Sequence, residues 1–187
     1  GGISDVEFMA DDIKHWKSVQ PQIHRDELMR CYQGVTLNQG ARELVEALKE
    51  RDIVVSIVSA GVDLLIGTIA QMLDVDDWAA NGFQYDDDGF LLDDGVVRVP
   101  AHNKGGMVEK FCRIRDLEPN DICSIGDNHM DLSMQIPGSR FIGFNPSKQI
   151  AFDGFREAGV PIVEGNDCRD LWPILFPGES FIAVGDE

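Results

Sequence analysis

Lysine is the scarcest charged residue in this 187-residue sequence, with Lys14, Lys17, Lys49, Lys104, Lys110 and Lys148 forming the full set. Arginine does not make up the difference. Sixteen basic side chains face thirty-three acidic ones, for a formal charge of −17. Such a surface excludes nucleic acid and anionic membranes as partners, because both need cationic neutralisation. It repels phosphorylated metabolites equally, so any phosphate site must bring its own cation or local donors. An acidic, lysine-poor surface suits a salt-rich cytoplasm.

Long apolar runs are missing too. None approaches the roughly eighteen continuous residues that a membrane span needs. The opening Gly1-Gly2-Ile3-Ser4-Asp5 has neither a basic patch nor the apolar stretch of a signal peptide, and it has no initiator Met. Cys31, Cys112, Cys123 and Cys168 are scattered with no C-x-x-C pair. That spacing excludes a zinc site or a disulfide framework and fits reduced thiols of a cytoplasmic protein.

An ordinary apolar share of 43% is present, enough for one buried core and a small appended module. Residues 5–33 read as two amphipathic helices. Ala41, Leu44, Val45 and Leu48 then fall at helical spacing. The β-branched run Ile53 to Val58 predicts a buried parallel strand, ending at a small-residue turn, Ser59-Ala60-Gly61. A helical pattern resumes with Leu64, Leu65, Ile69 and Met72. Further along, a helix over Lys104–Arg115 precedes a strand over Ile122–Ile125, and Asp131–Gln135 begins a helix. Arg140–Phe144 (strand), Gln149–Ala158 (helix) and Pro161–Val163 (strand) complete the alternation. The rhythm predicts a Rossmann-like, doubly wound, mostly parallel α/β sheet. Residues 81–100 break it. Asp86-Asp87-Asp88-Gly89 and Asp93-Asp94-Gly95 read there as Asp-Gly turns of β-hairpins.

Ligands of open α/β sheets bind beyond the carboxyl ends of the strands. Ser59 stands at one such end, followed by the N–H groups of a helix start, which suits an anion. Gly126-Asp127-Asn128-His129-Met130-Asp131 follows another strand and offers two carboxylates. Asp127 is placed to hold a hard cation such as magnesium, with Asp131 four residues behind it. Lys104 opens a helix, where its ammonium can balance phosphoryl charge. His102 and His129 lie beside these residues and read as solvent-exposed loop histidines. A strand-end serine, a Gly-Asp turn or a helical lysine is commonplace alone; their joint order favours a phosphate site.

The segments Val55–Gly61, Asn103–Gly106 and Ser124–Asp131 resemble motifs two, three and four of the haloacid dehalogenase superfamily. The hairpin region and Leu37–Leu48 look most like phosphoserine phosphatases within it, and the resemblance runs to about Leu175. It implies an α/β core over residues 36–187 with a hairpin insertion at about 81–100, and residues 1–35 as the remnant of a helical cap. It also implies that Ser59 and the Ala60 N–H bind phosphoryl oxygens, Lys104 stabilises the transferring phosphoryl group, Asp127 ligates Mg2+, and Asp131 orients that shell and Lys104. The activity implied is magnesium-dependent hydrolysis of a small phosphorylated metabolite, phosphoserine-like, through an aspartyl-phosphate.

The superfamily's first motif, a hydrophobic strand ending Asp-x-Asp, is not in the sequence. Tyr85–Leu91 imitates it, but Asn81–Gln84 reads as no buried strand and the position matches the hairpin. The expectation is that the chain begins partway into the protein, with the nucleophilic aspartate upstream and its strand at the centre of the sheet. Phe8–Ile13 carries no arginine for a substrate carboxylate, and Met130 replaces a usual polar residue. A different phosphotransferase on the same scaffold and an inactive phosphate-binding relative stay open. The sequence sets no oligomeric state.

Overall fold

Two three-stranded sheets organise this computed structural model, which describes residues 3–185. Gly1 and Gly2, where the cap-like opening was read, lie outside the described residues. In the first sheet β1 (Ser56–Val62) pairs in parallel with β2 (Asp77–Tyr85) across the helix α1 (Asp63–Leu73), and β2 turns back antiparallel to β3 (Leu91–Val96). In the second, β4 (Cys123–Gly126), β5 (Arg140–Phe144) and β6 (Ile162–Val163) are all parallel, with β5 in the middle. The expected α/β architecture is present, divided between β1 and β4, each of which pairs along one edge alone among the described residues.

The apolar spacing around Leu44 gives α2 (Ala41–Lys49), which buries Leu44, Val45 and Ala47. Leu44 and Ala47 join Ile142, Phe144, Val163, Leu171 and Trp172 in one core cluster. The other face of the second sheet carries α3 (Gly105–Arg115) and α4 (Gln149–Glu157). Val108, Cys112, Phe141, Ala151 and Phe155 pack there, with Val58 of β1 against them. Phe155 is fully buried, 5.5 Å from Phe141, and lies so close over Gly143 that a Cβ there would collide with its ring.

The two N-terminal helices are α5 (Asp5–Val19) and α6 (Arg25–Cys31). Ser4 and Glu7 cap the first reciprocally: Ser4 Oγ accepts from Glu7 N at 3.2 Å, and the Glu7 carboxylate accepts from Ser4 N at 2.8 Å. Both helices pack on the hairpin, where Ile13, Ile23, Phe83 and Leu91 form a third cluster. Among the described residues no helix is long and apolar enough to cross a membrane.

Five local expectations change. The strand predicted from Ile53 begins at Ser56, because the Asp76 carboxylate takes the Val55 N–H at 2.8 Å and holds residues 53–55 as a loop. The predicted turn Ser59-Ala60-Gly61 is a bulge within β1: Val58 pairs with Ala79 and Val62 with Asn81, so the extra residues bow out. Asn81–Gln84 is part of a buried strand after all, with residues 79–83 all buried, because hydrogen bonds satisfy Asn81 inside. Asp93-Asp94-Gly95 makes no turn; it lies in β3, with Gly95 opposite Phe83 and Lys17 of α5 reaching Asp93 at 2.6 Å. Residues 129–134 form a 3-10 turn where a helix was expected to start.

Phe155→Ala should lower stability in urea unfolding by about 3–5 kcal/mol, the usual cost of emptying a buried phenylalanine site. Phe8→Ala, at a side chain 57% exposed, should stay within about 0.5 kcal/mol. Equal midpoints for the two variants would contradict this placement of the core.

Candidate active site

Two of the predicted residues, Lys104 and Asp127, meet at a third, the Asp131 carboxylate. Asp131 is 6% exposed, and its Oδ1 accepts from Lys104 Nζ at 2.5 Å. Its other oxygen accepts from the backbone N–H groups of Asp127 at 3.1 Å and Asn128 at 3.0 Å. A buried carboxylate is expensive unless every lone pair has a donor, and here an ammonium and two amides supply them. Asp131 therefore does two things. It fixes where the Lys104 ammonium points, and it folds the loop after β4 into one shape.

That folding needs glycine in two places. A Cβ on Gly126 would collide with the Asp131 side chain, and one on Gly105 would lie 2.5 Å from Ser133 O. Ser133 Oγ accepts from Lys104 N at 3.2 Å and donates to Met130 O at 2.7 Å, tying the start of α3 to the turn after β4. Asn128 caps that turn, its Oδ1 accepting from Met130 N at 3.2 Å. Gly105, Gly126 and Asn128 lie inside the segments singled out in the sequence but carried no role there, and Ser133 lies outside them. Asn128-x-x-Asp131 is a capping-box spacing, a signal that could have found the first turn.

Asp127 is exposed, and among the described residues its carboxylate has no hydrogen-bond partner. Ser59 Oγ accepts from Gly61 N at 3.0 Å, which leaves its hydroxyl proton free to donate outward. Its neighbour Val58 packs on the cluster holding Val108, one turn into the helix that Lys104 opens, and Met134, three residues past Asp131. His102 and His129 are both exposed. The look-alike Asp86 is a turn residue, with Oδ1 accepting from Asp88 N and Phe90 N at 3.1 and 2.8 Å.

Electrostatics around the site favour the inert reading of the thiols. Burial pushes Cys112, Cys123 and Cys168 up from the ordinary thiol range, so they remain protonated at neutral pH. Burial, reinforced by the Asp63 carboxylate, pushes the Tyr85 hydroxyl up to about 12. It too stays neutral.

Residues 7–135 match the family model described as haloacid dehalogenase-like hydrolase, a span holding the serine, lysine and both aspartates. The chain belongs to this family. The haloacid dehalogenase-like chain is 32% identical over 110 residues to the phosphoserine phosphatase of Methanocaldococcus jannaschii, covering 58% of this chain and 52% of that protein. It is 27% identical over 156 residues to the phosphoserine phosphatase of Archaeoglobus fulgidus, covering 82% and 43% respectively. The chain thus spans about half the length of these curated relatives. Among solved structures, a substrate-bound phosphoserine phosphatase complex superposes with a TM-score of 0.71 at 26% identity, over 82% of this chain and 70% of that one. A phospho-aspartyl intermediate analogue of phosphoserine phosphatase gives 0.70 at 27% identity, over 82% and 71%.

Asp131→Ala leaves a largely buried ammonium and two amides without their acceptor. It should cost about 3–5 kcal/mol in urea unfolding, whereas Asp127→Ala, at an exposed carboxylate, should change stability by under about 0.5 kcal/mol. Matching stabilities would show that the carboxylate does not organise the loop.

Proposed function

We propose that this haloacid dehalogenase-like chain carries the phosphate-handling part of a magnesium-dependent phosphomonoesterase for a small, phosphoserine-like metabolite. The observation that carries the reading is the Lys104–Asp131 pair, a half-buried ammonium 2.5 Å from a buried carboxylate, beside an exposed Asp127. An ammonium held by a carboxylate in an otherwise acidic protein is the local cation that a phosphoryl group needs. Similarity to phosphoserine phosphatases supports the substrate class.

In this reading Ser59 Oγ and the Ala60 N–H donate to two phosphoryl oxygens. Lys104 holds positive charge against the third as negative charge redistributes over the phosphoryl group. A carboxylate attacks phosphorus, and the P–O ester bond breaks as the leaving oxygen takes a proton from the second aspartate of the Asp-x-Asp pair, which later accepts one from the attacking water. Water then attacks the aspartyl-phosphate, releasing phosphate and restoring the carboxylate. The attacking aspartate is assigned to an Asp-x-Asp strand outside this sequence, seated between β1 and β4. Residues 1–35 act as part of a cap over the core of residues 36–187, and the packing of α5 and α6 on the hairpin supports including its far end in that cap.

The donor set fits magnesium at one ligand position. Magnesium takes one or two carboxylates, completed by water and substrate phosphate, and Asp127 is free to be one of them. Asp131 is committed to Lys104 and the loop amides, and no group of three His, Cys, Asp or Glu side chains converges among the described residues. Bound there, magnesium would neutralise charge on a phosphoryl oxygen. We place the protein in the cytoplasm, acting without nucleic acid or membrane, as its charge favours.

The test is phosphate release from phosphoserine and from an aryl phosphate, with and without magnesium, by the protein as its gene encodes it. Asp127→Ala should abolish the magnesium-dependent rate. Lys104→Ala should lower kcat by about 10²–10³-fold, as loss of one charge-stabilising donor does, and Ser59→Ala should mainly raise KM. Wild-type rates in Lys104→Ala would refute its role. Phosphate-analogue binding without turnover would favour an inactive relative, and transfer to an acceptor other than water would favour a phosphotransferase.

A further inference from the structure

Asn81 is one of three buried polar or charged residues among those described, at 3% exposure in the middle of β2. Its carboxamide uses every hydrogen-bonding valence it has. Nδ2 donates to Ala60 O at 2.9 Å and to Val99 O at 3.1 Å, while Oδ1 accepts from Arg98 N and Val99 N, each at 2.8 Å. Two donors and one oxygen with two lone pairs are all an asparagine offers. The orientation is fixed, since a flipped amide would set its NH2 against two N–H groups.

What it bonds is as telling as how many bonds it makes. Ala60 lies in the β1 bulge, where pairing with β2 fails between Val58 and Val62. The Asn81 side chain supplies the partner that Ala60 O would otherwise lack. On its other side, residues 98 and 99 have left β3 and run to the turn Asn103 N→Pro100 O (3.0 Å) and then to Lys104. A single amide thus holds the bulge carrying Ser59 and Ala60 against the segment delivering Lys104.

We propose that Asn81 is a positioning residue that sets the phosphate-binding bulge in register with the lysine segment; this rests on the phosphatase reading above. It touches no substrate itself. It acts through Ala60, whose own N–H is the donor assigned to a phosphoryl oxygen, so a displaced Ala60 carbonyl turns that donor away.

Asn81→Asp dissects the role. The variant keeps an oxygen for the N–H groups of Arg98 and Val99 but turns a carboxylate oxygen toward Ala60 O and Val99 O. Loss of one aligned donor in both ground and transition states should raise KM about tenfold, near the worth of one hydrogen bond, with kcat reduced under about threefold. A merely structural asparagine would lower the melting temperature and the active fraction while leaving KM at the parent value, and that result overturns the proposal. Should Asn81→Asp fail to fold, the parent protein decides. The Asn81 side-chain NH2 resonances should shift when orthovanadate and magnesium are added, and unmoved resonances at saturation overturn the proposal. A parent protein without phosphatase activity counts against the phosphatase reading instead, and the same titration still judges Asn81.

Discussion

The site depends on one carboxylate serving two masters. Asp131 gives one oxygen to the Lys104 ammonium and the other to two backbone amides of its own loop. Because the group is buried, each of these bonds is costly to leave unmade, and each constrains the others. Lys104 cannot swing into solvent, and the loop cannot reopen without stranding the ammonium. The arrangement also solves a problem set by composition. In a chain of net charge −17, a phosphoryl group meets repulsion almost everywhere, and a lysine pinned in place is a local exception to that field.

The surrounding fold draws this pair from distant stretches of sequence. β4 delivers Asp127 and the Asp131 loop, and α3 begins at the lysine; β1, with Ser59 on its bulge, joins the same apolar cluster through Val58. Gly105 lets the start of α3 approach the turn after β4 at a distance no side chain would permit. The N-terminal helices pack mainly on the hairpin through Ile13, Ile23, Phe83 and Leu91, and Asp5 of the first accepts from Ala101 N at 3.0 Å, just before the lysine segment. Lys104 and Asp131 thus border one apolar cluster, while the N-terminal helices build another with the hairpin.

Much of this was legible in the sequence, for identifiable reasons. Parallel strands buried on both faces read as short, nearly continuous apolar runs, so the Arg140–Phe144 strand fell where its pattern put it. The helix around Leu44 was equally plain from its spacing. β1 was misplaced because Ile53–Val55 has strand composition, yet Asp76 captures its backbone from outside. β2 was misread because Asn81 and Gly82 look like a loop pair. Only their tertiary partners, Ala60 and the 98–99 segment, make that stretch a buried strand. Strand-tip residues could be guessed from type and order; the Lys104–Asp131 bond, spanning 27 positions, could not follow from local pattern.

A structure of the protein with magnesium and orthovanadate tests the central claim most directly. The account predicts one vanadate with oxygens within hydrogen-bonding reach of both Ser59 Oγ and Lys104 Nζ, Lys104 still joined to Asp131, and the metal on Asp127. Vanadate bound on another surface, or these side chains facing separate cavities, would contradict it.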